Sequence, residues 1–315
     1  MTDRQKPSSH RGPSRSMRPR GPQRRLQPGQ RSELVVFDLT QNQAEVIYET
    51  SELIEAPNWT PDGRWLVYNA DGRVFRIAPD GQEGPFRINT VPVENLNNDH
   101  VLSPDGRTLY LSANDGHLYS VPVEGGTPQR VSNESEAGHS FRYYLHGVSP
   151  DGSLLSYVGL EKSPEGQVTT RICTIPSTGG PDRFLTDGAC PVDGPEFSAD
   201  GAWIYFNSEA QATCPGHAQV FRMRLDGSGL EVLTEGERVN WFPHCSPDGG
   251  QVLWLSYPPG TIGHPPDREV QLRLMNPDGS GQRTLVHFWG GQGTINVNSW
   301  APDSQRFAYV AYPQE

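Results

Sequence analysis

Three histidines and one glutamate, His100, His146, His244 and Glu196, stand one or two residues ahead of the apolar residue that opens a recurring phrase of the type Leu-Ser-Pro-Asp-Gly. Neutral imidazoles combined with a carboxylate or amide oxygen suit a borderline divalent ion such as zinc, manganese or iron(II). Two further stretches offer groups of the same kind. "PPGTIGHPPDREV" supplies His264, and "HFWGGQGTINVNSW" supplies Gln292, Asn296 and Asn298. Trp241 and Trp289 could stack on a neutral sugar or an amphipathic small molecule. Whether these side chains meet depends on the elements that carry them.

The phrase occurs six times: "NWTPDGRWLVY", "VLSPDGRTLYL", "GVSPDGSLLSY", "EFSADGAWIYF", "HCSPDGGQVLW" and "SWAPDSQRFAY". Its aspartates lie 43, 46, 49, 48 and 55 residues apart, about the length of a four-stranded propeller blade. Each copy reads as a hairpin in which an apolar residue ends one strand, Pro-Asp-Gly turns the chain, and an alternating apolar run begins the next. Second hairpins such as "VFRIAPDGQ" and "VFRMRLDGSG" complete four strands per unit. The last copy runs out after two strands, while "ELVVFDLTQNQAEVIYE" near the start is a strand, turn and strand with no phrase of its own. The expected fold is therefore all-β: a six-bladed β-propeller over 33–315 whose last blade is closed by the N-terminal strands, which removes exposed sheet edges.

In a propeller the strand before each such turn is innermost, so repeat positions become rings around a channel. One residue before the apolar position the copies carry Asn58, Val101, Gly147, Glu196, His244 and Ser299. One step earlier stand Pro57, His100, His146, Pro195, Pro243 and Asn298. Neighbouring positions on a regular strand point opposite ways, so His100, His146, Glu196 and His244 converge only if the inner strands are irregular. A water-filled polar channel that holds no ligand is the other reading of the same residues.

The phrase Trp-Ser/Thr-Pro-Asp-Gly followed by an apolar strand resembles the WD40-like repeat of the TolB family, over residues 33–315. More distantly, the repeats resemble those of oligogalacturonate lyases. That second resemblance implies a divalent metal at the mouth and β-elimination, in which the metal binds a uronate carboxylate and a basic side chain takes the adjacent proton. On this chain it would make His100, His146 and His244 ligands or base and Glu196 or Gln292 an oxygen ligand. His264 and Arg142 are the catalytic candidates, Arg142 of "SFRYYLHG" as a carboxylate clamp. Two functions follow. The first is a binding platform that takes a protein, peptide or saccharide at the channel mouth, with Asn58, Trp241, Trp289, Asn296 and Asn298 as ligand contacts. The alternative is a metal-dependent carbohydrate-active enzyme.

Composition narrows the partners. Residues 1–32 carry nine Lys or Arg against one acid, and read as a disordered basic tail, which leaves the remainder near −19. A body so acidic repels nucleic acid and anionic membranes, so any nucleic-acid contact falls to the tail. Neither a signal-peptide core nor a membrane-spanning stretch is seen, and a soluble, cytoplasmic protein is expected. The cysteines, Cys173, Cys190, Cys214 and Cys245, form no CxxC pair; Cys190 and Cys214 are expected near one blade mouth, as free thiols. GxSxG, HExxH and GxGxxG are absent, and neither lysine, Lys6 or Lys162, lies in a P-loop.

Overall fold

The computed structural model describes residues 24–135 and 140–314. It is an all-β ring of six blades. Five are four-stranded antiparallel sheets with the strands in sequence order. Their inner strands are Ile54–Trp59, Leu96–Leu102, Ser140–Val148, Val192–Phe197 and Val239–Cys245. In the sixth blade the strand Ser32–Asp38 lies between Gln43–Thr50 and Arg306–Ala311, and a bridge from Phe307 to Trp300 marks the inner edge. The terminal strands thus close the ring as their incomplete repeats require.

Five of the six turns are built the same way. The hydroxyl of Thr60, Ser103, Ser149, Ser198 or Ser246 donates to the Asp two residues on, at 2.5–2.6 Å, and accepts the N–H of the residue at or just before the start of the second strand. The glycine after that Asp takes a positive φ, 68° at Gly106, and a Cβ there would lie 3.5 Å from Pro61 of the preceding blade's turn. The same contact recurs from Gly152 to Pro104 and from Gly201 to Pro150, so the turns form an interlocked ring.

Between successive blades lie six apolar clusters, one per interface. The cluster joining Leu34, Val36, Ala308 and Val310 to Ile54, Leu66 and Tyr68 seals the last blade against the first. All five of these inner strands are irregular: register shifts fall at Glu55/Asn58, Leu96/His100, Leu145/Gly147, Asp193/Glu196 and Trp241/His244. A bulge leaves backbone groups without ladder partners. Neighbouring blades supply them: Asn69 donates to the Asn97 carbonyl, Ser112 accepts the Leu145 N–H, Ser156 donates to the Pro195 carbonyl, and Asn207 accepts the Phe242 N–H.

Residues 1–23 of the expected basic tail lie outside the described residues. Over 24–31 the chain differs from the expected disordered arm. Leu26 packs on the apolar cluster between the last and first blades, Gln30 is buried and bridges Gln314, and Arg24 reaches the channel mouth. The physical reason is the charge of that mouth, described next. Among the described residues no helix is long and apolar enough to cross a membrane.

Candidate functional site

The inner strands begin at one face of the ring, and three tiers of polar side chains descend from it. Deepest are Glu196 and His244, which the bulges bring together. His244 Nδ1 lies 2.5 Å from Glu196 Oε2, and His244 Nε2 donates to the Ile295 carbonyl at 2.6 Å. Glu196 Oε1 accepts the Cys245 N–H at 3.0 Å and the Asn298 amide at 2.5 Å. The middle tier is His146, whose Nδ1 donates across the channel to the Asn296 carbonyl at 3.1 Å while Nε2 meets Asp193 Oδ1 at 3.1 Å. Burial opposes a charge on His146, but the hydrogen bond to Asp193 and the charges of Asp99 and Asp193 prevail and raise its pKa. Asp193 is held low despite its burial, chiefly by His146. Asp99 is pushed up to about 7 by burial, against the pull of His146 and with the push of Asp193.

At the rim, Arg24 enters the mouth. Its Nη1 donates to Glu55 Oε1 at 3.3 Å and to the Gln292 carbonyl, its Nη2 lies 3.5 Å from Asp267 Oδ1, and its guanidinium sits 4.1 Å above the Tyr312 ring. His264 Nδ1 bonds the Gln292 side chain, and its ring packs 4.5 Å from that of Trp241.

The residues read from the repeat are therefore shared among different partners. His100 is buried with Nε2 on the Val67 carbonyl, and burial pushes its pKa down to about 4. Among the described residues no three His, Cys, Asp or Glu converge as a metal would require. The donor set explains why. The carbonyl partners of His146 and His244 require a proton on one ring nitrogen, and the other nitrogen is turned to a carboxylate. Neither ring offers a lone pair outward, and His100 is turned to the Val67 carbonyl, so the set His100, His146, Glu196, His244 and Gln292 does not fit a divalent ion.

The remaining candidates divide likewise. Asn298 belongs to the Glu196 tie, whereas the Asn296 side chain accepts the Gly293 N–H. Asn58 is buried on the first inner strand. Arg142 bonds the Asn114 carbonyl and the Tyr144 side chain. Trp289 stands on the outermost strand of the fifth blade and is 40% exposed. Cys190 and Cys214 are free thiols. Glu55, Asp99, Asp193 and Asp267 are acids of the mouth that the repeat reading did not single out. Glu55 and Asp193 share one repeat position, four residues before the apolar residue; counting two steps further back along each copy finds them.

No family model matches the chain. An uncharacterised protein of Agrobacterium fabrum is 37% identical over 286 residues, which span 90% of this chain and 92% of that protein. A solved Agrobacterium tumefaciens structure, provisionally assigned as TolB, superposes with a TM-score of 0.83 at 36% identity over 91% of this chain and 99% of the other. The chain belongs to the TolB-like family of six-bladed β-propellers. The Tol-Pal system protein TolB of Francisella tularensis is 22% identical over 289 residues, covering 87% of this chain; the chain spans 60% of that protein. An oligogalacturonate lyase solved with manganese shares the fold, with a TM-score of 0.52 at 13% identity over 82% of this chain and 67% of the other.

Proposed function

We propose that this propeller is a protein-binding module that takes a peptide segment of its partner at the channel mouth. The observation that carries the reading is the Arg24–Gln30 segment, a stretch of peptide already gripped there by Glu55, Asp267 and the Tyr312 ring. The kinship with TolB proteins supports it at the level of the family. A saccharide has less to hold, because Trp241 is 7% exposed and covered by His264. A lyase mechanism finds His146 and His244 already bonded to protein partners through both ring nitrogens.

The test compares proteins captured by the full chain and by a Glu55→Gln/Asp267→Asn variant, identified by mass spectrometry, alongside an assay with oligogalacturonate and manganese that follows the ultraviolet absorbance of an unsaturated uronate. Partners lost with the mouth charges, and no absorbance change, are expected. Partners retained by the variant, or unsaturated product that disappears in His244→Ala, would overturn the proposal.

A further inference from the structure

We infer that the mouth is a receptor for an arginine side chain, and that Arg24 occupies it as an internal ligand which an arginine-bearing segment of a partner protein must displace. The inference rests on the binding-module reading and adds what the module recognises and how access is controlled.

The socket matches a guanidinium group. Two carboxylates, one backbone carbonyl and one aromatic face meet the same side chain. A planar fork can donate in its plane to the oxygens while its face lies on Tyr312; a lysine ammonium has neither the fork nor the flat face.

The blades build this socket, with little help from the segment that fills it. The Tyr312 hydroxyl donates to the Ile54 carbonyl at 2.9 Å, which fixes the ring between the last and first blades. Glu55 is also bonded by Asn98 of the second blade. The Gln292 carbonyl is presented by flanking glycines that leave no room for side chains. A Cβ at Gly291 would lie 2.3 Å from the Pro265 carbonyl oxygen, and one at Gly293 would lie 2.4 Å from the Tyr312 hydroxyl and 2.7 Å from Glu55 Oε1. Both glycines have positive φ, 122° and 89°. The run Gly-Gly-Gln-Gly thus serves close approach of backbone, ring and carboxylate.

Arg24 fills the socket incompletely. Among the described residues its Nε and Nη2 are buried without a hydrogen-bond partner of good geometry, and Nη2 has the longer ion pair to Asp267. A buried guanidinium with unmade hydrogen bonds is held less tightly than one whose donors are all used. The wholly buried Tyr257 hydroxyl, which feels the charges of Arg24 and Arg268, also lacks a partner among the described residues. An arginine arriving on another chain from a different direction can make bonds that Arg24 leaves unmade. When Arg24 leaves, Glu55 and Asp267 lose the cation between them, and the rim attracts another. Arg24 lies only eight residues before the closing strand that starts at Ser32, so it competes at a high effective concentration and lowers the apparent affinity for an outside ligand.

The probe is a fluorescein-labelled, N-acetylated peptide of the sequence RRLQPGQR, which copies residues 24–31, and its analogue with lysine at the first position. Both are titrated by fluorescence anisotropy into full-length protein, Arg24→Ala, Arg24→Lys and Arg24→Ala/Glu55→Gln/Asp267→Asn, with thermal melts to confirm that each is folded. Arg24→Ala is expected to bind the arginine peptide at least about tenfold more tightly than wild type. Arg24→Lys should fall between, the lysine peptide should bind more weakly, and the triple variant should lose the gain. Equal affinity in wild type and Arg24→Ala, or equal affinity for both peptides, would overturn the inference. Partner capture that still depends on Glu55 and Asp267 would then leave the binding module standing without an internal ligand. Peptide binding as expected, with capture independent of those acids, would sink the module reading while leaving the socket.

Discussion

Glu196 shows how a residue with catalytic potential can be committed to structure instead. Its carboxylate takes the Cys245 N–H, the Asn298 amide and the His244 ring, which come from the fifth and sixth blades, while it stands on the fourth. His244 extends the tie, since its own carbonyl accepts the Trp300 indole N–H at 3.1 Å. Glu196→Ala would leave two N–H groups and an imidazole buried without their acceptor. We expect a loss of about 3–5 kcal/mol in unfolding free energy, the order of cost of breaking a buried carboxyl–imidazole pair by removing one partner. Glu196→Gln keeps an acceptor and should lose less. Urea denaturation of the two variants beside wild type reads this directly, and an unchanged midpoint for Glu196→Ala would remove the carboxylate from any structural role.

At the scale of the element, the repeated turn carries a pH dependence. The carboxyls of Asp62, Asp105, Asp151, Asp200 and Asp248 are lowered, in each case chiefly by the Ser or Thr hydroxyl two residues before, and Asp151 reaches about 2. Because the folded pKa lies below the unfolded value of about 3.9, the unfolded chain takes up protons first as pH falls. The contribution of the Asp151 turn is complete above about pH 4 and is lost as pH approaches about 2, and the other four turns change in the same direction. Ser149→Ala removes the hydroxyl that serves Asp151 and should be less stable than wild type at neutral pH. The difference should shrink between about pH 4 and about pH 2. Denaturant midpoints at neutral pH and across that acid window decide it; a constant difference would show that the hydroxyl acts through the backbone alone. The bulges are elements of equal consequence. Ala56, Gly194 and Phe242 occupy the same repeat position and all have φ between 53° and 61°, two of them without the freedom of glycine. That kink is what brings His146 to Asp193 and His244 to Glu196.

For the whole molecule, closure is the decisive feature. Ser32–Asp38 pairs with Arg306–Ala311 from Glu33↔Ala311 to Asp38↔Arg306, and it buries Leu34, Val35, Val36 and Phe37. A chain beginning at residue 39 would lose this strand and expose an edge of the last blade. It should melt well below the full chain and associate through that edge, as calorimetry and size-exclusion chromatography would show. A monomer with the wild-type melting temperature would mean that the ring does not depend on closure. A chain beginning at Ser32 retains the closing strand and should keep the ring, which separates closure from the occupation of the mouth by Arg24.

The six-fold repeat, the four-stranded blade and the shared last blade were legible in the sequence, because each depends on local patterns: a turn phrase, alternation of apolar residues and a count of strands at the two ends. The polar ring positions were legible for the same reason, as columns of the repeat. Their chemistry was not. How the ring nitrogens of His146 and His244 are engaged depends on carbonyls 150 and 51 residues away, brought near by bulges that no periodic pattern announces. Arg24 lies in a stretch with no apolar period, and only the acids gathered from the first and fifth blades and the Tyr312 ring give it a place. Local pattern determined the architecture of this protein, whereas partners distant in sequence decided that His146 and His244 are spent on structure and that its mouth holds an arginine.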